Sequence, residues 1–188
     1  MLRANVHITG NKLQDDLILS LLSFVTLVLL GHIQLDLVEG LPITLQSLLV
    51  VLFPLMFGMR VGLIFVCAYL LAGGLGAPVF AGNKSGWEHF LGATGGFLLA
   101  FPIAALISGV AGEMAHKITF ITGAIILFVS QVVILLLGIG WMDALSHTSF
   151  DFTAKITSLM PRLLVKTALG TIVFVLIGRI LNNLNSKR

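Results

Sequence analysis

The sequence predicts an all-α integral membrane protein, with six transmembrane helices in a single membrane domain, 1–188. Only 10% of its 188 residues are charged, whereas an ordinary soluble domain carries about 25% charged residues. Mean hydropathy is +1.07, and long apolar runs recur along the chain at lengths that suit helices crossing a bilayer. A soluble fold of this composition could not cover its surface with polar groups. We therefore expect the lipid bilayer to surround the protein.

Six apolar runs locate the predicted helices, at about 17–33, 43–57, 61–80, 91–112, 118–139 and 159–181. A spanning helix needs ~20 residues, and the first, fourth, fifth and sixth runs are long enough alone. The second run is short and contains Pro54, so it crosses only where the bilayer is thin or where its start lies within protein. The stretch FGMRVG predicts a tight turn that joins the second and third helices into a hairpin.

Lysine and arginine predict the orientation, because they favour the cytoplasmic side of short loops. One set of predicted helix ends carries Arg3, Lys12, Arg60, Lys117, Arg179, Lys187 and Arg188. The other set carries Lys84 and Lys155, with Arg162 and Lys166 at a helix end, together with Asp36, Glu39, Glu88, Asp143 and Asp151. We therefore predict an N-in, C-in topology in the bacterial plasma membrane. Its outer loops, 32–42, 81–90 and 140–158, are longer and more polar than the inner ones, so function is expected to face outward.

Several functional classes are disfavoured by what the sequence lacks. No acidic residue lies in the middle of a predicted span, which argues against a proton- or sodium-driven transporter and leaves a facilitator open. Cys67 is the only cysteine, so neither an intrachain disulfide nor a thiolate metal site is possible. The histidines lack metal-site spacing. We expect no metal, no cofactor and no nucleic-acid partner.

The stretch Asn83-Lys84-Ser85-Gly86 looks at first like a phosphate loop or a serine nucleophile. A Walker A loop needs its lysine directly after glycine, and here Asn83 separates Gly82 from Lys84. An intramembrane serine protease needs a GxSG sequence within a helix, whereas Ser85 follows lysine in a loop. We therefore predict that the protein is not an enzyme.

Arg162 and Lys166 are the strongest candidates for ligand contact. They stand four residues apart and so share one face of the sixth helix, just after Pro161, which is predicted to occupy its first turn. A cation inside a span costs about 3 kcal/mol unless it is paired or reaches the interface. Both residues could be interfacial anchors. Lys166 has no carboxylate on a neighbouring span, so an anionic ligand is its natural partner.

Other polar residues cluster near the same predicted outer side. Trp87 suits either a ring-shaped ligand or the membrane interface. Asn83 suits an amide-like ligand or a turn before Gly86. Thr44 and Gln46 lie at the outer mouth of the short second span, and Gln46 needs a hydrogen-bond partner on another helix or on a ligand.

Ordered motifs over most of the chain resemble the BioY family, the biotin-binding S components of energy-coupling-factor (ECF) vitamin transporters. The resemblance is carried by LPITLQSLLVVLFPLMFGMRVG (41–62), LAGGLGAPVFAG (71–82), FLGATGGFLLAFPIAALISG (90–109) and MPRLLVK (160–166). It implies an ECF S-component-like fold with biotin bound near the outer face. It also implies that the family's sixth-helix lysine is Lys166, and that its loop asparagine corresponds to Asn83, or to Lys84 in strict alignment.

Two positions depart from the family pattern: Leu163 stands where the family has aspartate, and Leu98 where it has arginine. Arg162 replaces a family glycine and offers a second cation. The predicted function is high-affinity biotin uptake, with an ECF transmembrane subunit and ATPase subunits as partners. Alternatives are an S component for another anionic vitamin, a structural or assembly membrane protein, and a solitary biotin transporter or facilitator. The last remains open because 17–31 lacks the small-residue docking face that the family uses.

Overall fold

The computed structural model describes residues 9–35, 43–115, 119–145 and 152–185. In order, its elements are α1 (Lys12–Leu30), β1 (Gln34–Leu35), β2 (Ile43–Thr44), α2 (Gln46–Phe57), α3 (Met59–Gly74), α4 (Glu88–Leu91), α5 (Gly95–Met114), α6 (Phe120–Leu145) and α7 (Phe152–Asn185). The described part of the chain is therefore helical apart from one pair of two-residue strands. This bears out the helical prediction.

Four of these helices are long and apolar enough to cross a membrane: α1, α5, α6, and α7 over Ile156–Ile180. The hairpin helices α2 and α3 are apolar but shorter, and α4 is a single turn. The chain thus has the helices of a multi-pass membrane protein. The exact count of six spans is not confirmed, because two of the six predicted runs form helices shorter than a bilayer-spanning helix requires.

Three predicted boundaries are wrong. Residues 43–44 form β2, antiparallel to β1, rather than the start of the second helix. The fourth run is divided between α4 and α5, because the backbone is extended at Gly92. The third outer loop, predicted over 140–158, is largely helical: α6 continues to Leu145 and α7 begins at Phe152. Hydropathy falls at these helix ends, and the ends extend beyond the apolar core of each span.

The α2–α3 hairpin confirms the predicted turn. Gly58 alone separates the two helices and has a positive φ of 96°, a conformation that glycine adopts without steric cost. At the next turn, a Cβ on Gly62 would lie 2.6 Å from Pro54 Cβ. The two helices therefore pack closely, and α2 is buried against α5, α3, α6 and α7 at the centre of the fold.

Three hydrogen bonds identify which parts of the helices lie together. The Ser20 hydroxyl of α1 reaches Val61 O at the start of α3, at 3.4 Å. The Met59 backbone N–H, also at the start of α3, donates to the Glu113 carboxylate at the end of α5, at 3.0 Å. At the opposite end of α5, the Trp141 indole N–H of α6 donates to Gly92 O at 3.0 Å. The start of α3 therefore lies beside the end of α5, and the end of α6 lies beside the start of α5, so α5 is antiparallel to both α3 and α6.

Candidate functional site

A cavity of about 450 Å³ lies between the start of α2, the α3–α4 connection, and helices α5, α6 and α7. Its polar lining residues are Thr44, Gln46, Ser47, Lys84, His89, Thr94, Gln131, Arg162 and Lys166. Its apolar walls are formed by Phe80, Ala81, Phe97, Leu98, Phe101, Ile134, Leu135, Leu159 and Leu163. Apolar walls with a few converging polar groups are typical of small-molecule sites.

Five of the seven predicted binding residues line this cavity: Thr44, Gln46, Lys84, Arg162 and Lys166. They come from α2 and the strand before it, from the α3–α4 connection, and from α7. The fold thus brings together side chains that are widely separated in the sequence. Asn83 and Trp87 do not belong to the lining.

Asn83 and Trp87 have structural surroundings of their own. Asn83 has φ +57° and lies in the turn between Phe80 and Lys84, whose backbones pair. Trp87 is 54% exposed, stacks on Phe90 with ring centroids 5.0 Å apart, and packs against Gly74. Asn83 thus lies in a turn, and Trp87 is a partly exposed residue of the α3–α4 connection. A direct contact of either residue with a ligand stays a prediction.

The α3–α4 connection is packed so that Phe80 reaches the cavity. The buried Tyr69 hydroxyl donates to Val79 O at 2.6 Å, and the Phe80 ring packs against Gly73, where a Cβ would collide with it. The glycines at the end of α3 accommodate aromatic side chains of the connection, because Gly73 faces Phe80 and Gly74 faces Trp87.

The two cations of α7 lie further from the start of their helix than predicted. Pro161 is inside α7 rather than in its first turn, because the residues from Phe152 onward continue the helix on its N-terminal side. Lys166 therefore lies about 15 Å along the apolar stretch of the helix from Ile156, at 1.5 Å per residue. An interfacial anchor is expected nearer to the end of such a stretch.

Neither cation forms an ion pair with a residue in the described part of the chain. Lys166 Nζ donates to the Ser47 hydroxyl of α2 at 2.9 Å, which is a neutral acceptor. Arg162 Nε is buried and has no hydrogen-bond partner among the described residues. Lys84 adds a third cation to the described lining, which contains no acidic side chain. The cavity therefore favours an anionic ligand.

Sequence reasoning missed four polar lining residues: Ser47, His89, Thr94 and Gln131. Gln131 is 5% exposed, and its Nε2 donates to the Thr167 hydroxyl at 3.3 Å. A glutamine within the apolar run of α6 was a usable signal, since a buried amide needs partners. Ser47 gave no such signal, because serine is common in membrane helices and can bond to its own backbone.

Comparison with known proteins agrees with this architecture. The family model described as the BioY family matches residues 5–186. The chain belongs to the BioY family. One relative is the "Probable biotin transporter BioY" of Pyrococcus horikoshii, which is 34% identical over 135 residues, covering 70% of this chain and 77% of that one. Another is the "Biotin transporter BioY2" of Lactococcus lactis, which is 33% identical over 147 residues, covering 77% of this chain and 80% of that one.

A solved structure supports the fold of this BioY-family chain. It is the crystal structure of the S-component for biotin from an ECF-type ABC transporter, with a TM-score of 0.75. The match covers 93% of this chain and 94% of that one at 22% sequence identity. The S-component fold is therefore shown for this BioY-family chain, and the family and fold resemblance predicted from its motifs is confirmed.

Proposed function

We propose that this chain is a membrane-embedded binding protein that captures biotin with high affinity from the outer face of the plasma membrane. The observation that carries this proposal is the pair of cations, Arg162 and Lys166, in a cavity with no acidic residue in its described lining. Membership of the BioY family supports biotin as the ligand, because its relatives are named as biotin transporters.

The chemistry of biotin suits the two kinds of surface in the cavity. Its carboxylate is expected to bind Lys166 and Arg162, since charge-assisted hydrogen bonds are the strongest available there. Its ring system and aliphatic chain would lie against Phe80, Phe97 and Phe101. The buried amide of Gln46, which has 5% exposure and lines the cavity, can serve a polar group of the ring system.

The proposed orientation is N-in and C-in, with the cavity nearer the outer face. Arg60 lies at the helix ends joined by the Met59–Glu113 hydrogen bond, and Lys12 begins α1, which packs beside α3. Lys84 and the cavity belong to the opposite ends of α3 and α5. The positive-inside tendency supports assigning the Arg60 end to the cytoplasm.

ATP hydrolysis is proposed to come from separate subunits that join this chain through an ECF transmembrane subunit, because the sequence carries no nucleotide-binding motif. The binding roles of the site residues and the organisation of residues 1–188 as a single membrane domain are parts of the same proposal. An S component for a different anionic vitamin is the second candidate. The observation that favours it is the apolar character of Leu98 and Leu163, which line the cavity at positions where the family pattern is polar.

Titration calorimetry on the purified protein tests the proposal. Wild type should bind biotin with a submicromolar dissociation constant, and Lys166→Ala should weaken binding by ~30-fold or more, because a charge-assisted contact is lost. Lys12→Ala, at the predicted cytoplasmic end, is the matched control and should bind as wild type does. Micromolar or weaker binding that is unchanged in Lys166→Ala would reject the site. Tighter binding of another carboxylate vitamin in the same panel would favour the second candidate.

A further inference from the structure

Gln131 of α6 is a buried amide that faces the cavity from a fixed position. It is 5% exposed and lines the cavity beside Ile134 and Leu135. Its side chain bonds across the helix interface to Thr167 of α7. Because Thr167 lies outside the cavity lining, this bond holds the amide from behind.

The hydrogen-bond network determines which end of the amide is free. The Thr167 hydroxyl donates its proton to Leu163 O at 2.9 Å. The same oxygen can then only accept a hydrogen bond from Gln131, and Nε2 is the group of Gln131 that can donate one. The carbonyl oxygen Oε1 remains, and it has no hydrogen-bond partner among the described residues.

A ligand with N–H groups needs acceptors. Lys84, Arg162 and Lys166 carry only donors, and the Ser47 hydroxyl already accepts from Lys166. The other polar lining residues that can accept are Thr44, Gln46, His89 and Thr94. The Gln46 amide forms no side-chain hydrogen bond with a described residue, so no such bond fixes its orientation. A buried N–H without an acceptor costs about 1–3 kcal/mol. The free carbonyl oxygen of Gln131 is an oriented acceptor, held by a second residue, as a specificity-determining group should be.

We propose that Gln131 determines specificity by accepting a hydrogen bond from a ureido N–H of the bound vitamin, with Thr167 as the residue that positions its amide. This inference rests on the proposed function, because the ureido group belongs to biotin. It assigns to α6 a role in recognition beyond that of the cations on α7. The contact distinguishes ligands by their hydrogen-bond donors and not by their charge.

The test compares biotin with its two N-methyl derivatives, each of which lacks one ureido N–H. Wild type should bind biotin more tightly than at least one derivative. Gln131→Leu should weaken biotin binding by ~10-fold, because the acceptor is gone. It should also reduce the preference for biotin over that derivative by a similar factor. Gln131→Glu keeps an acceptor but loses the N–H that donates to Thr167, so it should retain more of the preference than Gln131→Leu does. Thr167→Val should reduce the preference for biotin by less, since it removes only the hydrogen bond that holds the Gln131 amide.

Ser130→Ala is the matched control. Ser130 precedes Gln131 on α6, is fully buried and lies outside the cavity lining, so its variant should bind all three ligands as wild type does. A preference in Gln131→Leu equal to that of wild type would overturn the inference, whether or not affinity falls. So would a wild type that binds both derivatives as tightly as biotin. A wild type that binds no biotin would instead overturn the proposed function on which the inference rests.

Discussion

Arg162, a proposed binding residue, is expected to lower the stability of the ligand-free protein. Its Nε is buried without a hydrogen-bond partner among the described residues, and Lys166 lies on the next turn of the same helix. Two like charges in an apolar span destabilise the ligand-free protein. A bound carboxylate would offset that cost by pairing with both cations. The residue is thus explained better by the ligand than by the fold.

Arg162→Met is predicted to separate the effect of Arg162 on ligand binding from its effect on the stability of the ligand-free protein. The variant keeps an unbranched apolar side chain and removes the charge. We expect biotin affinity to fall by ~10-fold or more, and the midpoint of thermal unfolding of the ligand-free protein in detergent to rise, since a poorly paired charge is lost. Arg179→Met, on the exposed end of α7, should change neither quantity. Wild-type affinity in Arg162→Met would contradict the prediction.

The helices that frame the cavity are held together by close contacts at glycines. Gly96 of α5 faces α6, where an added Cβ would collide with Trp141 Cβ and lie 2.8 Å from the carbonyl oxygen of Leu137. The Trp141 ring is itself fixed by its hydrogen bond to Gly92 O. Neither a backbone carbonyl nor a fixed ring can yield easily. The Gly96 contact therefore determines how closely α5 approaches α6 beside Phe97 and Leu98, which line the cavity.

Gly96→Ala is predicted to destabilise the protein by about 1–3 kcal/mol, the usual cost of overpacking a tight contact. Gly140→Ala is the matched control on α6, because a Cβ there meets nothing within 4 Å. The control should be neutral or more stable by up to about 1 kcal/mol, since alanine favours helix. Thermal unfolding in detergent measures both variants. Equal unfolding midpoints for the two would show that the α5–α6 contact is not tight.

At the scale of the whole molecule, the two ends of the helical bundle differ in chemistry. One end carries Lys12, Arg60 and the Met59–Glu113 contact. The other carries Lys84, Glu88 and the cavity lining between α4 and α7. An S-component fold with this polarity would present its cavity to one side of the membrane only. The proposed uptake direction requires that side to be the outer one.

Cysteine labelling tests this orientation in intact cells. In a Cys67→Ser background, Glu88→Cys should react with a membrane-impermeant maleimide added from outside. Arg60→Cys should react only after the membrane is made permeable, because the basic ends are expected in the cytoplasm. Both wild-type residues are exposed, so access to the reagent depends on the side of the membrane. The reverse pattern, or labelling of both positions in intact cells, would contradict the N-in, C-in topology.

The amino-acid sequence by itself determined the helical membrane class, the α2–α3 turn at Gly58 and the cation pair on α7. These features depend on local properties: the hydropathy of a stretch, the backbone freedom of a glycine, and the four-residue spacing of Arg162 and Lys166. The motifs also carried the family resemblance, which the comparison confirmed. None of these features requires knowledge of how the helices rotate against one another.

Only the tertiary structure decided which polar side chains share the cavity. Ser47 and Lys166 are 119 positions apart, and Gln131 meets Thr167 across two helices. Asn83 and Trp87, by contrast, lie outside the lining although they are close to Lys84 in sequence. The physical reason is that hydropathy describes a whole helix, whereas the facing of one side chain depends on the helix's rotation and on its packing partners. Glycine contacts and interhelical hydrogen bonds set that rotation here, and both are properties of pairs of helices.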